Sequence, residues 1–142
     1  MKIAGVVRKG FVVAVAAAVT CGVASSASAA SQDAHGFAYY EKATGLGGVI
    51  TYRTAEGWFE SSGDLWRVCD RMADGNRAKA AAIWYSGGAT HWYDVEATGG
   101  EGSCSGWFGK DIPEGTKVTL EVWDQDGANG AREHVKAYVG YA

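Results

Sequence analysis

Three aromatic residues of this chain alternate with polar residues at a spacing of two, and they are Trp92, Trp123 and Tyr138. Side chains two apart in a β-strand point to the same face, so each ring is expected on a polar, solvated face. Large aromatic side chains on such a face are covered or used for binding. We therefore predict a platform on which sugar rings or another apolar partner stack. The alternative is that loops or a second sheet cover these rings.

Catalytic motifs are scarce in the chain. His91 and His134 do not have the spacing of zinc ligands. The sequence contains no G-x-S-x-G motif and no phosphate-binding loop ending in Lys and Ser or Thr. A Ser-His-Asp set assembled across the fold stays open as an alternative, because triads are recognised by geometry. The sequence thus predicts no enzymatic activity, no catalytic residue, no cofactor and no metal.

The segment 124–130, Asp-Gln-Asp-Gly-Ala-Asn-Gly, begins like a calcium-binding loop but departs from it. Ala128, Asn129 and Val135 stand where the EF-hand pattern requires a ligand, a glycine and a glutamate. We predict a hairpin turn, in which Asn129-Gly130 supplies the positive φ angles. The alternative is a looser calcium site at one end of the sandwich, built from Asp124 and Asp126 with either Asp70 or Asp74.

The elements that would position these residues are short strands separated by glycine-rich turns. Seven are predicted: 48–54, 65–70, 77–85, 91–97, 105–109, 117–123 and 133–141. The alanine-rich segment 77–85 is interpreted as a strand because Gly87-Gly88 follows it at once. The last strand is expected to turn Val135 and Val139 inward and Tyr138 outward. Together these patterns predict an all-β, antiparallel sandwich, immunoglobulin-like or jelly-roll-like.

The N-terminal residues have the pattern of a secretory signal peptide. Lys2, Arg8 and Lys9 precede an apolar run, and an Ala-x-Ala cleavage site ends at Ala29. We predict a signal peptide over 1–29, a disordered tail over 30–35 and a single domain over 36–142. The product is expected to be secreted.

Charge limits the partners that the exported part can have. Cleavage after Ala29 lowers the bases from 13 to 10 and keeps all 16 acids, which gives a net charge of −6. An acidic chain without basic clusters is a poor partner for nucleic acid or for an anionic membrane. Neither is expected as a partner.

Two cysteines lie outside the predicted leader. Cys69 and Cys104 are 35 positions apart, and paired cysteines in a secreted chain are usually bonded. We predict a disulfide between them.

Three short motifs resemble those of small secreted actinobacterial proteins. They are Val68-Cys69-Asp70, Ala73-Asp74-Gly75 and Gly102-Ser103-Cys104. The resemblance implies a signal peptide, one disulfide and a β-rich body, and it implies no activity.

These observations lead to one functional prediction and two alternatives. We predict a monomeric, non-catalytic module that recognises extracellular polysaccharide or cell-wall material through Trp92, Trp123 and Tyr138. One alternative is an inhibitor of a secreted hydrolase that presents the loop 99–104 or 86–90. The other is a structural cell-surface protein that associates with itself through its aromatic residues.

Overall fold

A computed structural model describes residues 29–142, and these residues form eight β-strands. The strands are β1 (Ala34–Ala43), β2 (Val49–Glu60), β3 (Leu65–Asp70), β4 (Arg77–Ser86), β5 (Ala89–Ala97), β6 (Phe108–Gly109), β7 (Lys117–Gln125) and β8 (Arg132–Tyr141). The predicted signal peptide lies outside the described residues except for Ala29. Within 29–142, no helix has the length and apolar character needed to cross a membrane.

The strands form two antiparallel sheets of four, which confirms the predicted all-β sandwich. The first sheet has the order β1-β2-β3-β6 and the second has the order β5-β4-β7-β8. The alanine-rich segment is strand β4 at the centre of the second sheet, where it pairs with β5 and β7. The prediction of a strand there is confirmed.

The core lies between the inner faces of the two sheets. In the second sheet, Ala78, Ala80 and Ala82 alternate inward along β4. The core also contains Trp66 and Trp84, whose ring centroids lie 6.3 Å apart. The remaining large members of the core are Phe59, Val68, Ile112, Val118, Leu120 and Val122. Dense packing of this kind supplies most of the stability of such a domain.

A gap in the first sheet receives the ring of Tyr138. Gly36 and Gly57 are paired across β1 and β2. A Cβ atom on Gly36 would lie 2.0 Å from Cζ of Tyr138, and one on Gly57 would lie 2.5 Å from Cγ2 of Val122. The Tyr138 hydroxyl donates to the carbonyl of Phe37 at 2.6 Å and accepts from its amide at 2.8 Å. One ring thus links strand β8 of the second sheet to strand β1 of the first.

Strand β8 faces the opposite way from the prediction, because a bulge shifts its register. Between the pairs Val122–Lys136 and Asp124–Glu133, two residues of β8 oppose one residue of β7. His134 is the first of the two, with a φ angle of +50°. The bulge leaves Val135 and Val139 exposed and turns Tyr138 inward. The predicted inward position of the two valines is wrong.

The segment predicted to be a disordered tail is partly ordered. The backbone of Gln32 exchanges two hydrogen bonds of 2.8 Å with Tyr141. Strand β1 begins at Ala34, which is buried. The prediction of disorder is therefore wrong for Gln32 and for the residues from Ala34 onward. The start of the strand at Ala34 was not predicted, because residues 31–36 show little alternation of apolar and polar side chains.

The predicted disulfide between Cys69 and Cys104 is present. Cys69 is buried in β3, and Cys104 joins it by an isolated bridge from the loop that precedes β6. Closing a loop of 35 residues stabilises a folded domain by about 3–4 kcal/mol in chain-entropy terms. The bond therefore ties the loop that follows β5 in the second sheet to a strand of the first.

Candidate functional site: two aromatic faces

The outer face of the second sheet carries one of the predicted platform residues. Trp92 on β5 is 46% exposed. It pairs with Ile83 on β4, which in turn pairs with Thr119 on β7. Thr119 pairs with Val139, which is 43% exposed. A row of largely apolar side chains therefore crosses all four strands at the level of Trp92.

A second exposed aromatic residue stands beside this row. Tyr85 on β4 is 66% exposed and pairs with Thr90. Tyr85 and Thr90 border an open depression of about 280 Å³, together with Lys117 and Thr119. Aromatic faces beside hydroxyl and amine donors are the surface that a sugar needs, because its ring stacks and its hydroxyls form hydrogen bonds. The term sugar face is used below for Tyr85, Trp92 and this depression.

Trp123 lies on the same outer face but is covered, so its predicted exposure is wrong. It is only 1% exposed. The Trp92 ring lies 6.2 Å from its ring, and the guanidinium of Arg132 lies 4.1 Å from its ring centre. Its Nε1 donates to Oε1 of Gln125 at 3.3 Å. Trp123 therefore supports Trp92 from beneath and offers no surface of its own.

Tyr138 belongs to neither outer face. Its ring packs against the core and its hydroxyl is bound to the backbone of Phe37. The predicted platform of three aromatic residues is wrong as a unit: Trp92 is exposed, while Trp123 and Tyr138 are structural. Tyr93, on the edge strand β5, is 37% exposed.

The outer face of the first sheet carries a second aromatic row that the sequence analysis missed. The rings of His35 and Trp58 stack with centroids 5.2 Å apart. The guanidinium of Arg67 lies 4.8 Å from the Trp58 ring and 4.5 Å from the Trp107 ring. The term arginine face is used below for His35, Trp58, Arg67, Trp107 and the neighbouring Arg53. The sequence signal for this row was the spacing of two between Glu56, Trp58 and Glu60, which places the three side chains on one face. These residues lie beyond the predicted end of that strand at residue 54.

The acidic residues proposed for calcium do not form an open ligand set. Asp124 is buried, and its two carboxylate oxygens accept hydrogen bonds from Thr54, Asn76 and His134 at 2.7–3.0 Å. In the loop that follows, the Gln125 amide donates to the carbonyls of Gly127 and Ala128. Donors of the protein thus occupy both carboxylate oxygens of Asp124 and two carbonyl groups of this loop.

Asp124 also belongs to a small group of metal-ligating side chains at this end of the sandwich. Ligand atoms of Asp124, Glu133 and His134 lie within 4.8 Å of one another. The Nδ1 atom of His134 already contacts Asp124 at 2.7 Å. The arrangement is that of a histidine oriented by a buried carboxylate. None of the hydrogen bonds described within 29–142 joins a serine hydroxyl to this pair.

The other candidate histidine has a structural setting. The His91 ring stacks on Trp84 with centroids 5.1 Å apart. Its Nε2 lies 3.3 Å from the carbonyl of Ser86. Both contacts hold the β4–β5 hairpin, whose turn consists of Gly87 and Gly88 with positive φ angles.

Asp70 is a buried carboxyl group near Asp124. Burial raises its pKa above the ordinary aspartate value, and the charges of Asp74, Glu101 and Asp124 raise it further. The hydrogen bond that its Oδ1 accepts from the Met72 amide acts in the opposite direction. The position of Asp70 thus disfavours its charged form.

The loop 99–104, which was considered for hydrolase inhibition, is held rigidly. Its backbone bonds to the end of β3, through Gly102 to Asp70 and from Asp70 to Ser103. Ser103 also closes the loop onto the carbonyl of Gly100, and Cys104 carries the disulfide. Glu101 is exposed at its tip.

Comparisons with known proteins return no relative: the chain matches no protein-family model, no curated protein and no solved structure at a significant level.

Proposed function

We propose that this protein is an exported, non-catalytic module that binds extracellular polysaccharide through the sugar face. The observation that carries the proposal is the pair of exposed rings, Trp92 at 46% and Tyr85 at 66%, on the outer face of one β-sheet. Rigid strands position both rings, so binding does not require a loop to become ordered.

The neighbours of these rings suit a neutral glycan. Thr90 and Thr119 offer hydroxyl groups, and Lys117 offers an amine, all beside the depression. The charged residues of this sheet are largely paired: Lys79 lies 3.1 Å from Asp94, and Arg132 pairs with Glu121. A neutral sugar can therefore stack on the rings without breaking ion pairs.

Retention on insoluble glycans tests the proposal. The wild-type protein is incubated with cellulose, chitin and peptidoglycan, and the bound fraction is measured against Trp92→Ala and Tyr85→Ala. Each change is expected to weaken binding to the retained glycan at least about tenfold, the effect of losing about 1.4 kcal/mol of contact. Leu46→Ala removes an exposed apolar side chain from the turn between β1 and β2, outside both aromatic faces, and serves as the control.

Two results would contradict the proposal. One is retention that neither variant changes, and the other is no retention on any of the three glycans. Sedimentation velocity over a range of concentrations is run alongside. Self-association that Trp92→Ala abolishes would assign this face to contact between copies of the chain, as expected of a structural surface protein.

A hydrolase inhibitor is the second candidate, and the rigid loop 99–104 favours it. A loop that is already ordered loses little entropy when it enters an active site. Secreted proteases and amylases are assayed with the wild-type protein and with Glu101→Ala at the exposed tip. Inhibition that Glu101→Ala weakens, while Trp92→Ala leaves it unchanged, would support this candidate over glycan binding.

A further inference from the structure

The arginines of the arginine face contact aromatic rings and not carboxylates. This is unusual in a chain that has more acidic than basic residues. The full chain has 16 acids and 13 bases. Within residues 29–142, neither Arg53 nor Arg67 forms an ion pair with a carboxylate. Arg53 instead lies 4.0 Å from the centre of the Phe37 ring.

Arg67 is held between two indole rings. Trp58 and Trp107 lie 4.8 and 4.5 Å from its guanidinium carbon. Its Nε is buried and has no hydrogen-bond partner among the described residues. Stacking covers the faces of the guanidinium, and its terminal Nη groups, unlike the buried Nε, keep the hydrogen-bonding geometry that matches a carboxylate or a phosphate.

Glu56, an acidic residue on this face, is already paired with other groups. Glu56 accepts from Arg71 Nε at 2.6 Å through one oxygen and contacts His35 Nε2 at 2.7 Å through the other. It therefore cannot also serve Arg53 or Arg67 without losing these partners. The arginine face keeps two cations that lack a carboxylate in a molecule that is acidic overall.

We propose that the arginine face binds an anionic polysaccharide whose carboxylate groups pair with Arg67 and Arg53. Trp107, 40% exposed, provides a ring on which a sugar stacks beside the charged group. This goes beyond the proposed function, because it places a second, acidic class of glycan on the opposite sheet and does not depend on the sugar face. The combination of forked cations and aromatic rings selects uronic acid residues over neutral sugars.

Polygalacturonate and its fully methyl-esterified form are the two probes. Esterification removes the charge and leaves the sugar rings, so the wild-type protein is expected to bind the acid form at least about tenfold more tightly in calorimetry. Binding is also expected to weaken as salt rises, because ion pairing is screened.

Variants of Arg67 distinguish the contribution of the planar guanidinium group from that of its positive charge. Arg67→Gln is expected to weaken binding of polygalacturonate at least fivefold, and Arg67→Lys is expected to restore only part of it. Arg53→Gln, at a more exposed site, provides a second variant in case Arg67→Gln unfolds the protein. The matched control is Arg132→Gln. This change removes an arginine that also lies on a tryptophan, but on the outer face of the second sheet.

Several outcomes would overturn the proposal. They are equal binding of both forms of the glycan, no effect of Arg67→Gln and Arg53→Gln, or equally tight binding of poly-L-glutamate or single-stranded DNA. Binding of polygalacturonate that Trp92→Ala leaves unchanged, without retention on neutral glycans, would support this inference and contradict the sugar face. The reverse pattern would support the sugar face and contradict this inference.

Discussion

Tyr138 shows how one side chain can hold two sheets together. Its ring occupies the space left by Gly36, and its hydroxyl both donates to and accepts from the backbone of Phe37. An aromatic residue among polar neighbours therefore has a structural role here. The period of two gave it the wrong face because the bulge at His134 precedes it in the strand.

Removing the hydroxyl of Tyr138 tests this role. Tyr138→Phe keeps the ring but loses two hydrogen bonds, so the free energy of unfolding should fall by about 1–2 kcal/mol. Urea denaturation measures the change. Tyr85→Phe, which alters an exposed ring, is the control and should leave the midpoint unchanged. Equal midpoints for wild type and Tyr138→Phe would contradict the link between the sheets.

Asp124 and its donors are the other residue-scale feature that the sequence concealed. Thr54 is the extra residue of a bulge in β2, and His134 is in the bulge of β8. The two bulges bring both side chains to one buried carboxylate. A left-handed φ at a residue other than glycine costs about 1 kcal/mol or more, and the contact of His134 with Asp124 offsets part of it.

Most elements were predictable because their signals are local. Strand β3 was predicted with its observed bounds, and β4, β5, β7 and β8 within one or two residues at each end. These strands alternate clearly and end at turns that contain glycine or Asp-Gly-Asn. Strand β1 was missed because Gly36, Tyr39 and Tyr40 do not follow a simple alternation of apolar and polar residues.

The candidate site was harder to predict than the elements. Alternation placed Trp92, Trp123 and Tyr138 on polar faces, but exposure depends on what neighbouring strands contribute. Trp123 is buried by Arg132 and Trp92, which come from two other strands. The partners of Arg67 likewise come from β2 and from the segment before β6. Such cross-strand contacts need the strand order, which the sequence alone did not predict.

Asp70, at the end of β3, is expected to make the free energy of unfolding depend on pH. Its raised pKa means that the folded state binds a proton more tightly than the unfolded state does, so stability should fall as pH rises above the ordinary aspartate range. Asp70→Asn keeps the acceptor for the Met72 amide and removes the charge. The variant should therefore gain stability at neutral pH and lose this fall, as measured by urea midpoints from about pH 4 to pH 7.

Asp33 provides a control of opposite sign. Hydrogen bonds from the backbone and side chain of Ser61 lower its pKa, so its contribution to stability is present above the ordinary aspartate range and is lost as pH falls. Asp33→Asn should reduce that loss on acidification. Identical pH profiles for wild type and Asp70→Asn would contradict the buried position of Asp70.

At the scale of the whole molecule, the two outer faces differ in charge chemistry. On the second sheet, Lys79 and Arg132 pair with carboxylates, and the exposed rings stand among hydroxyl groups. On the first sheet, Arg53 and Arg67 rest on rings. The core separates the two faces, so changes on one should leave binding at the other intact, since distant sites contribute independently.

The ordered N-terminal segment is expected to matter for stability although it precedes the first strand. Deleting residues 29–33 removes the hydrogen bonds between Gln32 and Tyr141 and those between Asp33 and Ser61. The free energy of unfolding should fall by about 1–3 kcal/mol, measured by urea denaturation. Deleting residues 29–31 alone is the control and should have little effect. Equal loss in both deletions would contradict the role of these bonds.

The pairing of Gln32 with Tyr141 also affects when the domain can fold, because it joins residues from the two ends of the described chain. Strand β1 packs against β8, so one side of its inner face has no cover until the last strand has been synthesised. A growing polypeptide must therefore wait for its far end before its interior closes, and domains with such distant contacts fold slowly. A chain that lacks β8 therefore leaves apolar residues on the inner face of β1 uncovered.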